Sequence, residues 1–279
     1  MTDAAASDAG LNTMANWQAA IDDLGAALAD ALDHTARRIR SALREISIAA
    51  PESSARIPAG MQLPMTELSQ ARQRVVDFTE KYWKNYNPDY PSYSSDCANF
   101  VSQAIESGGF QQKMTRDRFN DPNDHDPNAW FSQYDENTFT EDWEASRTWT
   151  YAPDLHQFLT EGSVQAEDGT PTGTAAPESV WTSPDASVDP NALSSSGLQP
   201  GDIVFYERTN DEGKPEITHT AVYVGQDWIT MPDGSRVWGD VVNQHTTDRH
   251  HAPWFLPGYA ENPDFFPIKY RPVKIDYPE

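Results

Sequence analysis

The sequence is poor in cysteine and in basic residues. It has one cysteine in 279 residues, and its 20 lysines and arginines are outnumbered by 43 aspartates and glutamates, which gives a formal net charge of −23. A lone cysteine cannot form an internal disulfide, so a disulfide framework is excluded and the thiol is available for chemistry. The negative field repels nucleic-acid phosphates and anionic membranes, so we expect neither as a partner.

Long apolar runs are also missing. The first ten residues, MTDAAASDAG, are acidic and small, and they lack the basic start and the apolar stretch of a secretory signal peptide. No segment reaches the roughly 20 apolar residues that a transmembrane helix needs. The sequence therefore leaves the compartment open, and we expect any export to follow a leaderless route.

The patterns that are present divide the chain into two regions joined by a linker. Apolar positions recur at helical spacing between residues 15 and 48, which predicts an N-terminal helical region over residues 1–50. Residues 51–64 contain three prolines and are predicted to be the linker. Residues 65–279 then form the main domain, with a low-complexity insertion without a core of its own at about 164–197. This N-terminal helical region is expected to pack on the main domain or on a partner chain, or else to be recognised by an export machine.

Within the main domain, helical patterns precede β-rich ones. Residues 65–85 and 97–107 show the three-and-four spacing of amphipathic helices, and SRTWTYAPDLHQFLTEG is predicted to be an extended piece followed by a helix. Four β-rich runs follow, namely GDIVFYER, THTAVYVGQD, DVVNQHT and FFPIKYRPVKI. Helices followed by hairpin-connected strands predict an α+β domain with an antiparallel sheet.

The single cysteine, Cys97, lies in the first turn of the second of these helices. Asp96 precedes it and is predicted to be the N-cap residue, and Gly108 with Gly109 ends the helix. The unpaired amides and the dipole of a helix N-terminus stabilise an anion, including a thiolate. Cys97 is therefore a candidate nucleophile.

Two histidines could serve such a nucleophile. His219 starts the run HTAVYVG, and His245 ends the run VVNQH. The two-residue period of a strand places Asn243 and His245 on one face and Gln244 on the other. If the two strands pair antiparallel, His219 is expected to lie beside Asn243 or His245, as a base and its orienting group must.

The sequence favours no metal or cofactor. A zinc site built from Cys97, His219, His245 and His250 lacks tight ligand spacing, and the adjacent pair His250 and His251 is typical of a solvated loop. The acidic run at residues 120–144 lacks the glycine and the final glutamate of an EF-hand loop. We therefore expect no bound metal.

Several blocks together resemble a known family. YWKNYNPDYPSYSSDCANFVSQAIESGG, SRTWTYAPDLHQFL, GDIVFYE with THTAVYVG, and NQHTTDR are similar to successive blocks of the putative amidase family called Amidase_6, a branch of the papain-like NlpC/P60 and CHAP superfamily. The resemblance covers about residues 65–274. It implies a papain-like fold, with the catalytic cysteine at a helix N-terminus packed on an antiparallel sheet. Against this pattern, DWITMPDGSRVW is expected to be an insertion.

The resemblance also implies roles for the candidate residues. Cys97 matches the nucleophile, His219 the general base, and His245 the third catalytic group, with Asn243 in reserve. We expect the imidazolium of His219 to hold Cys97 as a thiolate, and Asp96 to act chiefly as a cap with its charge turned toward backbone amides.

The substrates of the superfamily suggest what the protein does. The expected activity is amide hydrolysis in bacterial peptidoglycan, at the muramoyl-alanine bond or within the stem peptide. An enzyme of this kind without a leader is expected to be a delivered toxin, whose partners are an export machine and an immunity protein. The alternatives are a peptide-processing cysteine protease, an acyltransferase, or an inactive papain-like binding module.

Overall fold

A computed structural model describes residues 68–135, 142–161, 169–183, 186–210, 212–257 and 266–278. All of them belong to a compact unit that spans Met65–Glu279. The predicted N-terminal helical region, residues 1–50, and the predicted linker, residues 51–64, lie outside the described residues. Among the described helices, none combines the length and the apolarity that crossing a bilayer requires.

The described elements run from helices to strands. In chain order they are α1 Gln70–Tyr82, α2 Cys97–Ser107, β1 Ser132–Asp135, β2 Asp142–Ala145, α3 Arg147–Thr150, α4 Ala152–Glu161, β3 Gly173–Ala175, β4 Ser179–Trp181, α5 Ala192–Ser195, β5 Ile203–Thr209, β6 Pro215–Thr230, β7 Arg236–Gln244, β8 Arg249–Pro253 and β9 Ile268–Ile275. The predicted α+β class is confirmed, and each of the four β-rich runs overlaps a strand. The extended piece predicted before α4 is wrong, because residues 147–150 form the short helix α3.

The strands form one large antiparallel sheet and one small hairpin. The large sheet has the order β3-β9-β5-β6-β7-β8, and β4 also pairs with β9. β1 and β2 pair separately. The run DWITMPDGSRVW, expected as an insertion, extends the β6–β7 hairpin, since Trp228 pairs with Trp238 and Thr230 with Arg236.

The segment expected to be a coreless insertion at about 164–197 contributes to the core where it is described. Its strands β3 and β4 both pair with β9. The side chains of Trp181 and Leu193 are almost fully buried in the cluster on one face of the large sheet. Small and polar residues dominate the composition of this segment, but its few apolar residues are spaced so that they reach the sheet.

Alternating residues of the central strands pack on opposite faces of the sheet. On β5, Phe205 packs with the apolar residues of α2 and α4, whereas Tyr206 packs in the cluster on the other face. The cysteine helix α2 is buried from Cys97 to Ile105. A helix buried along this length has little freedom to shift, so its first turn is held at a fixed place against the sheet.

A buried ion pair fastens α1 to the sheet. Arg72 Nη1 lies 2.7 Å from Asp202 Oδ1, and Arg72 Nη2 donates to the carbonyl of Ile275 at 3.0 Å. The Asp202 side chain is 1% exposed. We expect Arg72→Met to lower the free energy of unfolding by about 3–5 kcal/mol, because it leaves a buried carboxylate without its partner.

Urea denaturation measures this loss, and Gln73→Met on the same helix is its control. Gln73 donates to Asp77 at the surface, so its replacement is expected to cost less than about 1 kcal/mol. If Arg72→Met and Gln73→Met shifted the urea midpoint by similar amounts, the ion pair between Arg72 and Asp202 would not stabilise the fold as stated.

Candidate active site

Cys97 begins helix α2 in a nearly closed environment. The residue is 5% exposed. Burial raises the pKa of its thiol to about 11, although hydrogen bonds from the backbone amides of Thr220 and Ala98 act in the opposite direction. At neutral pH the sulfur is therefore protonated in the resting protein. This differs from the expected thiolate, because desolvation outweighs the amides of the helix N-terminus.

The sulfur lies against the strand that carries His219. The amide that contacts the Cys97 sulfur from the sheet belongs to Thr220, the residue after His219 on β6. The structure thus brings together two parts of the chain that are more than 120 residues apart.

His219 is buried and bonded to the neighbouring strand. The residue is 3% exposed, and its Nε2 lies 3.0 Å from Oε1 of Gln244. Gln244 uses its own Nε2 to donate to the carbonyl of Thr247 at 2.9 Å. The oxygen of Gln244 is therefore an acceptor, so the hydrogen-bond network places a proton on Nε2 of His219 and makes Nδ1 its basic nitrogen.

The environment keeps the His219 ring neutral. Burial lowers the pKa of His219 to about 4, and the hydrogen bond to Gln244 only partly offsets this effect. A neutral imidazole at physiological pH can accept a proton, whereas an imidazolium cannot. The resting state of the two groups is then a neutral thiol and a neutral base, and not the expected thiolate and imidazolium.

The register of β6 and β7 explains why Gln244 is the neighbour of His219. Val222 lies opposite Asn243. Continuing this register by one residue places Ala221 opposite Gln244, and opposed residues share a face of the sheet. His219 is two residues before Ala221 and points to the same face. Gln244 and Asn243 thus lie on opposite faces of β7, as its alternation predicts, but a single strand does not specify its register with β6. Asn243 and His245 are therefore not the neighbours of His219.

His245, the expected third catalytic group, is held elsewhere. Its Nδ1 lies 2.6 Å from Oδ2 of Asp96, and its Nε2 lies 2.8 Å from the carbonyl oxygen of Tyr82. Its ring stacks on Phe100 with a centroid separation of 4.1 Å. A carbonyl only accepts, so Nε2 of His245 donates to it, and the ring ties the start of α2 to the end of α1.

Asp96 is the partner that makes this arrangement possible. It occupies the N-cap position, but its carboxylate makes no hydrogen bond to the helix amides. Instead, Oδ1 accepts from the amide of Tyr93 and from Nδ2 of Asn99, both at 2.9 Å, while Oδ2 faces His245. The expectation that Asp96 is chiefly a cap is thus wrong, because a buried carboxylate beside an imidazole is better satisfied by that ring.

Asn243, the reserve candidate, also faces away from His219. Its Nδ2 donates to Oγ1 of Thr79 and to Oε1 of Glu80, and its Oδ1 accepts from the amide of His251. These contacts connect β7 with α1 and β8. The contact of Gln244 with His219 was not predicted from the sequence. The one available signal was that Gln244 is a polar residue closely following the apolar residues Val241 and Val242 of a buried strand.

Comparison with known proteins identifies the family. The profile described as "Putative amidase domain" matches residues 69–267, which is most of the chain. The chain belongs to the putative amidase domain family. It is also 26% identical, over 183 residues, to the uncharacterized protein YhbB of Bacillus subtilis strain 168. That alignment covers 66% of this chain and 43% of YhbB, so the chain spans less than half the length of this relative. No solved structure matches the chain significantly.

The protonated state of the thiol in this amidase-family domain gives a direct prediction. We expect the rate of alkylation of Cys97 by iodoacetamide to be very low at pH 7 and to rise about tenfold per pH unit up to pH 10, since only the thiolate reacts. Intact-mass spectrometry of quenched samples measures the rate, and no other cysteine interferes.

The same protein in urea is the control for this measurement. Its accessible thiol should show the ordinary pKa of about 8.5, and its alkylation rate should level off near pH 9.5. Rapid alkylation of the folded protein at pH 7, with the same levelling, would show that Cys97 is exposed or already ionised.

Proposed function

We propose that the protein is a cysteine-dependent amide hydrolase with a papain-like NlpC/P60-type arrangement. In this proposal Cys97 is the nucleophile, His219 is the general base, and Gln244 positions the base. The observation that carries it is that Cys97 begins a buried helix packed on the sheet, where the amide of Thr220, the residue after His219 on β6, lowers the pKa of its thiol. Membership of a family of putative amidases supports the same reaction class.

Because the thiol of Cys97 and the imidazole of His219 are both neutral at rest, the proposed mechanism couples proton transfer to the attack. As the sulfur of Cys97 bonds to the carbonyl carbon of the substrate, its proton moves to Nδ1 of His219, and the carbonyl oxygen becomes an oxyanion. Backbone amides in the first turn of α2 are suited to bind that oxyanion, where each such donor is worth about 3 kcal/mol of barrier.

The remaining steps return the protein to its starting state. The imidazolium of His219 gives its proton to the leaving amine, and the carbon–nitrogen bond breaks, which leaves a thioester on Cys97. A water molecule then loses a proton to His219 as it attacks the thioester. The carboxylic acid leaves, and the proton on His219 returns to the sulfur.

In this proposal Gln244 takes the orienting role, and not His245 as the resemblance implied. Its acceptor oxygen at 3.0 Å from Nε2 of His219 fixes the tautomer in which Nδ1 is basic. His245 is then a positioning residue, because its bonds to Asp96 and to the carbonyl of Tyr82 hold the first turn of α2 in place.

For the substrate we propose an amide of bacterial peptidoglycan, either the muramoyl-alanine bond or a bond within the stem peptide. The test is to incubate purified peptidoglycan and, separately, model peptides with the full chain, and to identify each newly freed amine and carboxyl by mass spectrometry. Muropeptides that lose their stem peptide, or are cut within it, would support this choice of substrate. Cleavage of the model peptides alone would favour the peptide-processing protease, and transfer to an added amine would favour the acyltransferase.

One observation favours a second candidate, an inactive binding module. A sulfur that is 5% exposed, with a pKa of about 11, is also what a structural cysteine shows. Sedimentation of the protein with insoluble peptidoglycan, in the absence of any released fragment over long incubation, would support binding without hydrolysis. Released fragments that Cys97→Ala does not produce would exclude it.

A further inference from the structure

Three side chains with metal-binding atoms converge between α1 and β8. Glu80 Oε2 lies 2.6 Å from Nε2 of His250, and Glu80 Oε1 lies 2.9 Å from Nε2 of His251. One ligand atom from each of the three residues lies within 4.8 Å of the other two. Atoms at such separations can share one ion, because zinc binds its nitrogen and oxygen ligands at about 2.0–2.2 Å.

The backbone at His251 is arranged so that both histidines point to the same place. Consecutive residues of a regular strand point to opposite faces. His251 instead has a φ of 47°, a left-handed conformation that is costly for a residue other than glycine. The result is that the rings of His250 and His251 stack, with centroids 4.1 Å apart and planes 17° apart. The cost is offset in part by the hydrogen bond from the amide of His251 to Oδ1 of Asn243, at 2.8 Å.

The three residues also have the outer partners that metal ligands usually have. Nδ1 of His251, the nitrogen away from the cluster, lies 2.8 Å from Oδ2 of Asp227. A carboxylate on the far nitrogen orients a ligating imidazole and raises its basicity. Asn243 Nδ2 donates to Oε1 of Glu80 at 2.9 Å and so orients the third ligand. Histidines in a solvated loop would hydrogen-bond to water and would not need Asp227 and Asn243 as partners.

We propose that Glu80, His250 and His251 form a zinc site whose fourth ligand is water. Two imidazoles and one carboxylate with an open position are a known zinc ligand set. The side chains of the three residues are 35–36% exposed, so the open position faces solvent. The site is separate from Cys97 and replaces the expectation that the chain binds no metal. Its ligands join α1 to β8, and Asn243, which bonds to Glu80 and to the amide of His251, lies on β7, the strand that also carries Gln244. The existence of the zinc site does not depend on the proposed hydrolase activity.

The test uses the full chain without a histidine tag, freed of metal by a chelator and then titrated with Zn²⁺ alone. Calorimetry is expected to show one ion per chain, and the melting temperature is expected to rise with added Zn²⁺. Co²⁺ in place of Zn²⁺ should give visible absorption bands of a site with nitrogen and oxygen ligands. His250→Ala and Glu80→Gln should lose the binding, and Asp227→Asn should weaken it by about 10- to 100-fold.

The matched control is His125→Ala. His125 is an exposed histidine that pairs with Asp124 outside the cluster, and its removal should leave Zn²⁺ binding unchanged. Circular dichroism of the metal-free variants checks that each one folds, and His250 is exposed enough for its replacement to be tolerated. The proposal is overturned if the wild-type chain binds no Zn²⁺, or if His250→Ala and Glu80→Gln bind it with wild-type stoichiometry and affinity.

Discussion

Replacing Cys97 with alanine is expected to abolish amide hydrolysis, with a loss of roughly 10⁴-fold or more in kcat/KM. Removal of the sulfur leaves no atom that can form the thioester, whereas the rest of the site is unchanged. Cys97→Ser should be inactive as well, because a hydroxyl in the same buried place is harder to deprotonate than the thiol. Hydrolysis is measured on the peptidoglycan fragment or peptide that the wild-type chain cleaves.

The stability of the same variants shows whether the loss is chemical. Deleting one small buried group is expected to cost about 1 kcal/mol of unfolding free energy, so the urea midpoint should move little. Ser107→Ala, at the other end of helix α2, is the control and should keep full activity. Full activity in Cys97→Ala would eliminate the nucleophile assignment.

The second large effect is expected at His245, and it concerns stability. His245→Ala should lower the free energy of unfolding by about 3–5 kcal/mol, because Asp96 is left as a buried carboxylate without its partner. The double variant Asp96→Asn with His245→Ala should recover part of the loss, since the unpaired charge is gone. Urea denaturation of the two single variants and the double variant measures this coupling.

The hydrolytic activity of the same variants shows whether His245 only positions the first turn of α2 or takes part in catalysis. If His245 only positions the first turn of α2, the activity lost by His245→Ala should be partly regained in the double variant and should follow its stability. A variant that unfolds at the wild-type urea midpoint but hydrolyses nothing would instead make His245 the third catalytic group, as the family resemblance implied.

Gln244 provides the complementary measurement. Gln244→Ala should lower kcat by about 100-fold through misorientation of the base, with little change in KM. The bond to Gln244 raises the pKa of His219, so its removal should move the acidic limb of the pH profile to lower pH. Gln244→Glu keeps an acceptor oxygen and adds a negative charge, and it should restore activity while moving that limb to higher pH. An unchanged pH profile in both variants would show that Gln244 does not act on the base.

The features that could be predicted from the sequence are those that depend on short stretches of chain. The helix at Cys97 and the strands of the sheet follow from apolar spacing, and they suffice for the α+β class. The neighbour of His219 depends on the pairing register of β6 and β7, which alternation within a single strand does not specify. A one-residue change of register exchanges Gln244 for Asn243 or His245.

Other differences arise where long-range contacts override a local preference. Asp96 is a good N-cap by residue type, but the proximity of His245, 149 positions away, redirects its carboxylate. His250 and His251 are adjacent polar residues that suggest a solvated loop. Their convergence on Glu80 depends on the conformation of His251 and on the packing of α1, and neither is visible in a short motif.

The protonated thiol has a practical consequence for inhibitor design. Hydrogen peroxide and simple alkylating reagents consume thiolates, so a sulfur that, as in the proposed mechanism, keeps its proton until a carbonyl arrives should survive oxidising conditions that inactivate enzymes with a thiolate at rest. Covalent inhibitors should accordingly resemble the substrate. A peptide aldehyde or nitrile binds like the substrate, and its oxygen or nitrogen takes up the proton as the sulfur adds to its carbon. Such a compound is expected to label the protein, whereas a more reactive electrophile that does not resemble the substrate is not.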